Sequence, residues 1–289
     1  MRNVTIHSLL GAASIVLIAS PALAQTSDVP PAAAEAAPPA PVEERPFQGL
    51  YVGGFVSYDV QPNDPGESIV FNRNGSATVT TAAGADAFSP GFCNGRANGT
   101  IPDNGCRNDR DDVAYGGRIG FDIQKRWLVL GALAEFGDSQ ITDSVSAFST
   151  TPASYTMTRS VNWEAGFRGR LGFAARNTLF YGTGGAGYAR IRSDFSTTNT
   201  ANAFATTGTR NKWGVQYGGG IEQKIGRNFS IGLEYLYHDY DAPDARVLVT
   251  QGTAPATNPF VLGGTTTTFA RSDNKFNWHS LRLTAAFRF

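Results

Sequence analysis

An alternation of apolar and polar residues recurs in segment after segment of this chain. In 229–240, Phe229, Ile231, Leu233, Tyr235 and Tyr237 form one set, and Ser230, Gly232, Glu234 and His238 the other. In 113–124, Tyr115, Ile119, Phe121 and Ile123 stand against Gly116, Arg118, Gly120 and Asp122. Segment 161–175 sets Trp163, Phe167, Leu171 and Phe173 against Glu164, Arg168 and Arg170, and 212–225 sets Trp213, Val215, Tyr217 and Ile221 against Gln216 and Glu222. The final segment, 277–289, sets Leu281, Leu283, Ala285 and Phe287 against Ser280, Arg282, Thr284 and Arg288. A period of two places the two sets on opposite faces of a strand. One face carries no charge and suits lipid; the other carries arginines and glutamates and suits an interior. A water-soluble barrel reverses that arrangement.

Less regular segments at 49–60, 127–137 and 178–195 bring the expected strands to eight, an even number. The facing of the first is not fixed by its residues. The connections alternate in length: 61–112, 138–160, 196–211 and 241–276 are long, whereas 125–126, 176–177 and 226–228 are short and polar. Tight turns on one side and extended loops on the other are the pattern of an all-β, eight-stranded antiparallel up-and-down transmembrane β-barrel. The 33 glycines, 19 phenylalanines and 10 tyrosines suit curved sheets with aromatic belts. Tyr115, Trp163, Trp213, Tyr237, Tyr240 and Trp278 are expected at the outer rim, with Tyr51, Trp127, Tyr181, Phe229 and Phe289 at the inner one.

The amino terminus fits export. Arg2, an uncharged run from Leu9 to Ala19 and the sequence Pro21-Ala-Leu-Ala24 have the order of a secretory signal peptide, expected at 1–24. Residues 25–46, rich in proline and alanine, read as a periplasmic tether, leaving 47–289 for the barrel. Lys plus Arg and Asp plus Glu are equal at 24 each, so no global field argues for nucleic acid. Cys93 and Cys106 share one loop and suit a disulfide in an oxidising compartment.

Three stretches carry a family resemblance: Phe47-Gln-Gly-Leu-Tyr51-Val-Gly-Gly-Phe55, Leu179-Phe-Tyr-Gly-Thr-Gly-Gly-Ala-Gly-Tyr188, and the ending from Leu281 to Phe289. They resemble the small porin-like outer-membrane β-barrel family, which includes the outer-membrane immunogenic proteins and is similar in barrel architecture to the membrane domain of outer membrane protein A. The resemblance implies the outer membrane of a Gram-negative cell, with its lipid and lipopolysaccharide as surroundings. The ending resembles the carboxy-terminal assembly signal of such proteins, which implies that Phe287 and Phe289 are read by the barrel-assembly machinery. The first loop, 61–112, is longer than is usual in the family, so loop functions do not transfer, and no surface ligand is named.

Chemistry-bearing residues are few. Arg118, Arg168, Arg170, Arg190, Arg282 and Arg288 are expected inside with Asp122, Glu135, Glu164, Glu222 and Glu234. Eight strands leave an interior that side chains fill, so Arg118, Glu135, Arg168, Glu222, Glu234 and Arg282 are expected to pair across it as a plug. The alternative is a narrow channel for ions or small solutes. A lipid-modifying enzyme comes third, because a serine nucleophile needs a histidine beside it, and the adjacent His279 and Ser280 point to opposite faces. Both His238 and His279 are expected near the outer rim in interfacial roles. Gly182-Thr-Gly184-Gly-Ala-Gly187 has the letters of a dinucleotide loop but runs on into a strand, not a helix. The acidic run Asp103–Asp112 lacks the spacing of a calcium loop. No catalytic, cofactor or metal residue is assigned. The function expected is that of a structural and surface barrel contributing to envelope integrity.

Overall fold

A strand in lipid must satisfy both edges with other strands, because lipid offers no hydrogen bonds. The computed structural model describes residues 45–62, 66–241 and 245–289, so the expected signal peptide and the tether as far as residue 44 lie outside the described residues. Eight strands form a ring: β1 (Gly49–Val60), β2 (Asp112–Lys125), β3 (Leu128–Asp138), β4 (Ala153–Ala175), β5 (Thr178–Thr197), β6 (Arg210–Ile225), β7 (Phe229–Asp241) and β8 (Lys275–Arg288). Each pairs antiparallel with its neighbours in the chain. The ring closes where β8 meets β1, with Arg288 opposite Tyr51 and His279 opposite Val60. The fold is an all-β, eight-stranded antiparallel up-and-down transmembrane β-barrel. Short turns at 126–127, 176–177 and 226–228 link strands at one end. Arg126 and Arg176 there take φ of 55° and 53°, in the left-handed region.

The alternation translates into facing. Ile119, Phe121, Phe167, Leu171, Leu233 and Leu283 are exposed on the outer wall, while Arg118, Glu135, Arg168, Glu234 and Arg282 are buried within. β1 turns Tyr51, Phe55, Ser57 and Asp59 inward and Leu50, Val52, Val56 and Tyr58 outward. Four aromatics expected at the rims are instead inside: Tyr51, Tyr181, Tyr240 and Trp278 are buried. Each shares the parity of inward neighbours on its strand, which outweighs its depth. Arg190, expected inside, lies on the exposed face of β5, because the inward parity there belongs to Leu179, Tyr181, Thr183 and Ala189.

β4 has 23 residues and β5 has 20, against about 9–11 needed to cross a bilayer. Their upper parts stand above the membrane as the wall of a folded cap. The pairing register shifts where Arg190 faces Trp163 but Ile191 faces Val161. Asn162 is thus a bulge. Below it the even positions Glu164, Arg168 and Arg170 point inward; just above it the odd positions Val161, Arg159 and Met157 are buried while Ser160 and Thr158 are half-buried, and from Thr156 up both faces are covered. This inversion of parity is why the alternation stops near 161 although the strand begins at Ala153.

The long connections are not plain exposed loops. Ala203–Thr206, Val247–Thr250, Thr267–Arg271 and Ile69–Arg73 pair in that order as a four-stranded sheet, and Thr142–Ser149 pairs with the top of β4. They enclose a second core in which Phe71 stacks on Phe88 at 4.1 Å and meets Phe269 edge-on at 5.0 Å, with Tyr155 and Phe260 packed alongside. Cys93 and Cys106 are joined by a disulfide within the first of these connections.

Asp109 ties that connection to the next by accepting the Ser144 amide at 2.6 Å. Burial, and then the nearby Asp143 carboxylate, push the Asp109 carboxyl up to about 7, with Arg271 partly opposing. Its pKa is raised on folding, so the stability it contributes is complete below its ordinary value of 3.8 and is lost as pH rises through about 7. Overall stability, read by urea unfolding, should therefore fall across that window, even though the Ser144 amide itself bonds the ionised carboxylate well. In Asp109→Asn that fall should be smaller; an unchanged pH profile in the variant would count against this account.

Candidate functional site: the filled lumen

The interior of the barrel is built in layers. At the end that carries the short turns Phe47, fully buried, packs with Val129, Ala174, Leu179 and Tyr181. Its amide donates to Gln124 Oε1 at 2.9 Å and its carbonyl accepts Arg288 Nη1 at 2.5 Å. Lys224 Nζ bonds the Pro46 carbonyl beside it. The segment entering β1 is thus tied across the opening.

Above Phe47 two arginines and two acids form a closed square. Arg170 binds Asp122 through Nε at 2.8 Å and Glu222 through Nη1 at 2.8 Å. Arg288 reaches Asp122 at 2.8 Å and Glu222 at 3.4 Å. The Tyr51 ring lies under both guanidiniums, 4.9 Å from Arg170 and 4.7 Å from Arg288, a cation–π contact on each. Ser230 donates to Glu222 at 2.8 Å.

The next layer holds three arginines around two glutamates. Arg168 Nη2 bridges Glu135 at 2.6 Å and Glu234 at 3.2 Å. Arg118 reaches Glu234 at 3.2 Å and Arg282 reaches Glu135 at 2.7 Å. The Tyr181 hydroxyl donates to Glu234 at 2.9 Å, and Arg282 stacks over Phe55 at 4.4 Å. These charges are desolvated, and each is held by partners from other strands, which is what burial of charge demands.

The third layer was not expected. His238 Nδ1 lies 2.8 Å from Glu164, and its Nε2 lies 3.0 Å from the Ser280 hydroxyl. Tyr240 also donates to Glu164, at 2.6 Å. A serine, an imidazole and a carboxylate in this order are the parts of a nucleophilic triad. Ser280, however, bonds Asp59 at 2.6 Å, and Ser57 and Ser139 each donate to the same carboxylate at 2.9 Å. Neither His238 nor Ser280 has exposed surface, and Trp278 stacks flat on His238 at 4.6 Å. His238 is therefore not an interfacial rim residue; it shares the inward parity of Glu234. His279 faces outward and meets the Tyr235 hydroxyl at 2.7 Å. The one signal for the His238–Ser280 contact is that both hold inward parity on strands adjacent in the chain, where Leu236 faces Ser280 and His238 faces Trp278. An apolar layer of Ile141, Val161, Ile191, Phe276 and Trp278 closes the lumen above.

Residues 10–289 match the outer membrane protein β-barrel domain family. The chain belongs to that family. This outer membrane β-barrel is 36% identical over 135 residues to the 31 kDa outer-membrane immunogenic protein of Brucella melitensis biotype 1, covering 44% of this chain and 56% of the relative. It is 28% identical over 139 residues to the 22 kDa outer membrane protein of Rhizobium leguminosarum bv. viciae, covering 47% and 58%. The aligned region thus spans a little over half the length of these curated relatives. Among solved structures it is similar to the outer membrane protein OprG from Pseudomonas aeruginosa, with a TM-score of 0.47 and 12% identity over 84% of this chain and 97% of that one.

Within this outer-membrane barrel, Arg118, Glu135, Arg168, Glu234 and Arg282 come together in one layer, while Glu222 belongs to the layer beneath. Phe287 lies on the outer face of β8 opposite Val52 and Phe229, and its ring meets Phe289 at 5.2 Å. The glycine run stays within β5. A Cβ at Gly187 would lie 1.9 Å from the Tyr240 hydroxyl, so that glycine makes room for the third layer. The acidic run gives carboxylates to neighbouring elements: Asp109 accepts from Ser144, and Asp111 from the Gln61 amide at 3.0 Å and the Tyr58 hydroxyl at 3.1 Å.

Proposed function

We propose that this protein is a sealed structural and surface barrel that contributes to the integrity of the outer membrane and presents a folded cap outside the cell. The observation that carries the reading is the continuous filling of the lumen, from Phe47 through the arginine–carboxylate layers to Trp278. A solute crossing it would have to displace ion pairs that are buried among the side chains filling the barrel. Planar-bilayer recording on the refolded protein tests this: the wild type should give no steady current. A large, steady conductance would favour the narrow-channel reading instead.

On the same reading, residues 1–24 are a cleaved export signal and 25–46 a periplasmic tether. Lipopolysaccharide and outer-membrane lipid contact the apolar wall. The barrel-assembly machinery recognises the ending at Phe287 and Phe289, an idea supported by the exposure of both rings on the outer wall. Deleting Phe289 should leave export intact and make the protein accumulate in the periplasm. Normal outer-membrane levels of the truncated chain would refute this role.

A further inference from the structure

Two polar groups at the base of the cap have no hydrogen-bond partner among the described residues. Arg159 gives Nε to Asp143 at 2.5 Å and Nη1 to the Asp273 carbonyl at 3.3 Å, but its Nη2 is buried without an acceptor. The Ser193 hydroxyl, on the upper part of β5, is also buried and unbonded. A buried donor left unsatisfied costs stability, and native proteins retain few of them without a reason. Both residues line one cavity of about 400 Å³ between the cap sheet and the upper parts of β4 and β5. That volume lies in the range of sites for small organic molecules.

We propose that this cavity binds a small carboxylate with an apolar body. Its walls are mixed: Phe71, Met157 and Phe195 supply aromatic and thioether surface, while Arg159 and Ser193 supply the polar end. A second, half-buried arginine in the lining, Arg271, is already occupied: it binds Glu67 and also reaches Asp143 at 2.6 Å. Arg159 is thus the guanidinium with an N–H to spare. Arg271 lies close enough to Arg159 to disfavour its charge, an effect second only to burial. An anion placed between the cavity and this pair of arginines relieves that repulsion. One N–H and one O–H match the two oxygens of a carboxylate, which is the geometry of a charge-assisted hydrogen-bonded pair. A phosphate dianion would meet Glu67 and Asp143 just behind the arginines, so a single negative charge fits better. Asp194 and Asp273 also line the cavity; the exposed Arg246 offsets part of their negative charge, and the carboxylate is placed at the Arg159–Ser193 end.

The test uses the full-length protein refolded in detergent, with 4-phenylbutyrate and its neutral amide as probes, titrated by calorimetry against blank micelles. The acid should bind saturably at one site, and the amide at least tenfold more weakly. Ser193→Ala should weaken the acid several-fold. Ala270→Trp, which adds bulk to the cavity lining, should abolish binding while leaving both barrel unfolding and the near-UV circular dichroism of the cap aromatics at their wild-type form, so lost binding cannot be blamed on lost folding. Arg159→Lys keeps a charge but loses the spare planar donor and should bind at least tenfold more weakly. No saturable binding by the wild type would overturn the proposal. So would equal affinity for acid and amide, or full binding in Ala270→Trp. None of these outcomes touches the sealed-lumen reading, because no residue of the three lumen layers lines the cavity.

Discussion

Glu234→Ala should destabilise the barrel by about 3–5 kcal/mol, the usual cost of stranding a buried charge whose partner has been removed. Glu234 is fully buried and receives Arg118 at 3.2 Å, Arg168 at 3.2 Å and the Tyr181 hydroxyl at 2.9 Å. Arg168 retains Glu135 at 2.6 Å in the variant, but Arg118 has no other carboxylate within ion-pair distance among the described residues. Most of the loss therefore falls on Arg118. The double variant Glu234→Leu with Arg118→Met should recover much of it, since replacing a whole buried pair by apolar groups is often close to neutral. Urea unfolding in phospholipid vesicles measures both. A single variant as stable as the wild type would mean that the charges are screened by water and that the lumen is open.

Leu283→Arg should cost about 2–4 kcal/mol, the value for a cation on the lipid face near the bilayer midplane. Leu283 faces Val56 on β1 and Leu233 on β7, far from either end of its strand. The informative control is Leu248→Arg in the cap, expected to stay within about 0.5 kcal/mol as an ordinary surface change. Leu248 is 41% exposed and Leu283 62%, so exposure alone ranks the two in the wrong order. What differs is the medium: water solvates the guanidinium at 248 and hydrocarbon does not at 283. Equal costs at the two positions would remove the basis for placing the β8 outer face in lipid.

The alternation in Phe229–His238 determined by itself that this segment is a strand with a charged inner face, because the period of two is local and the two media on either side act on each residue separately. The same holds for Arg118, Arg168 and Arg282: parity alone put them inside. Parity could not say which acid each would meet. That depends on the stagger between strands far apart in sequence, as between Arg282 and Glu135 (147 residues) or Arg118 and Glu234 (116 residues). The triad-like contact of His238 with Ser280 and Glu164 was hidden for the same reason. So was the upper half of β4, where the Asn162 bulge inverts the pattern that a reader of the sequence follows. The cap was the least legible part, since its core draws Phe71 and Phe269 from two separate connections and Tyr155 from the top of β4, and its Glu67–Arg271 pair spans 204 residues. Short strands from different loops carry too few residues each to display a period. Only their packing in three dimensions makes them a domain surface, so the tertiary structure alone decided that the loops are folded.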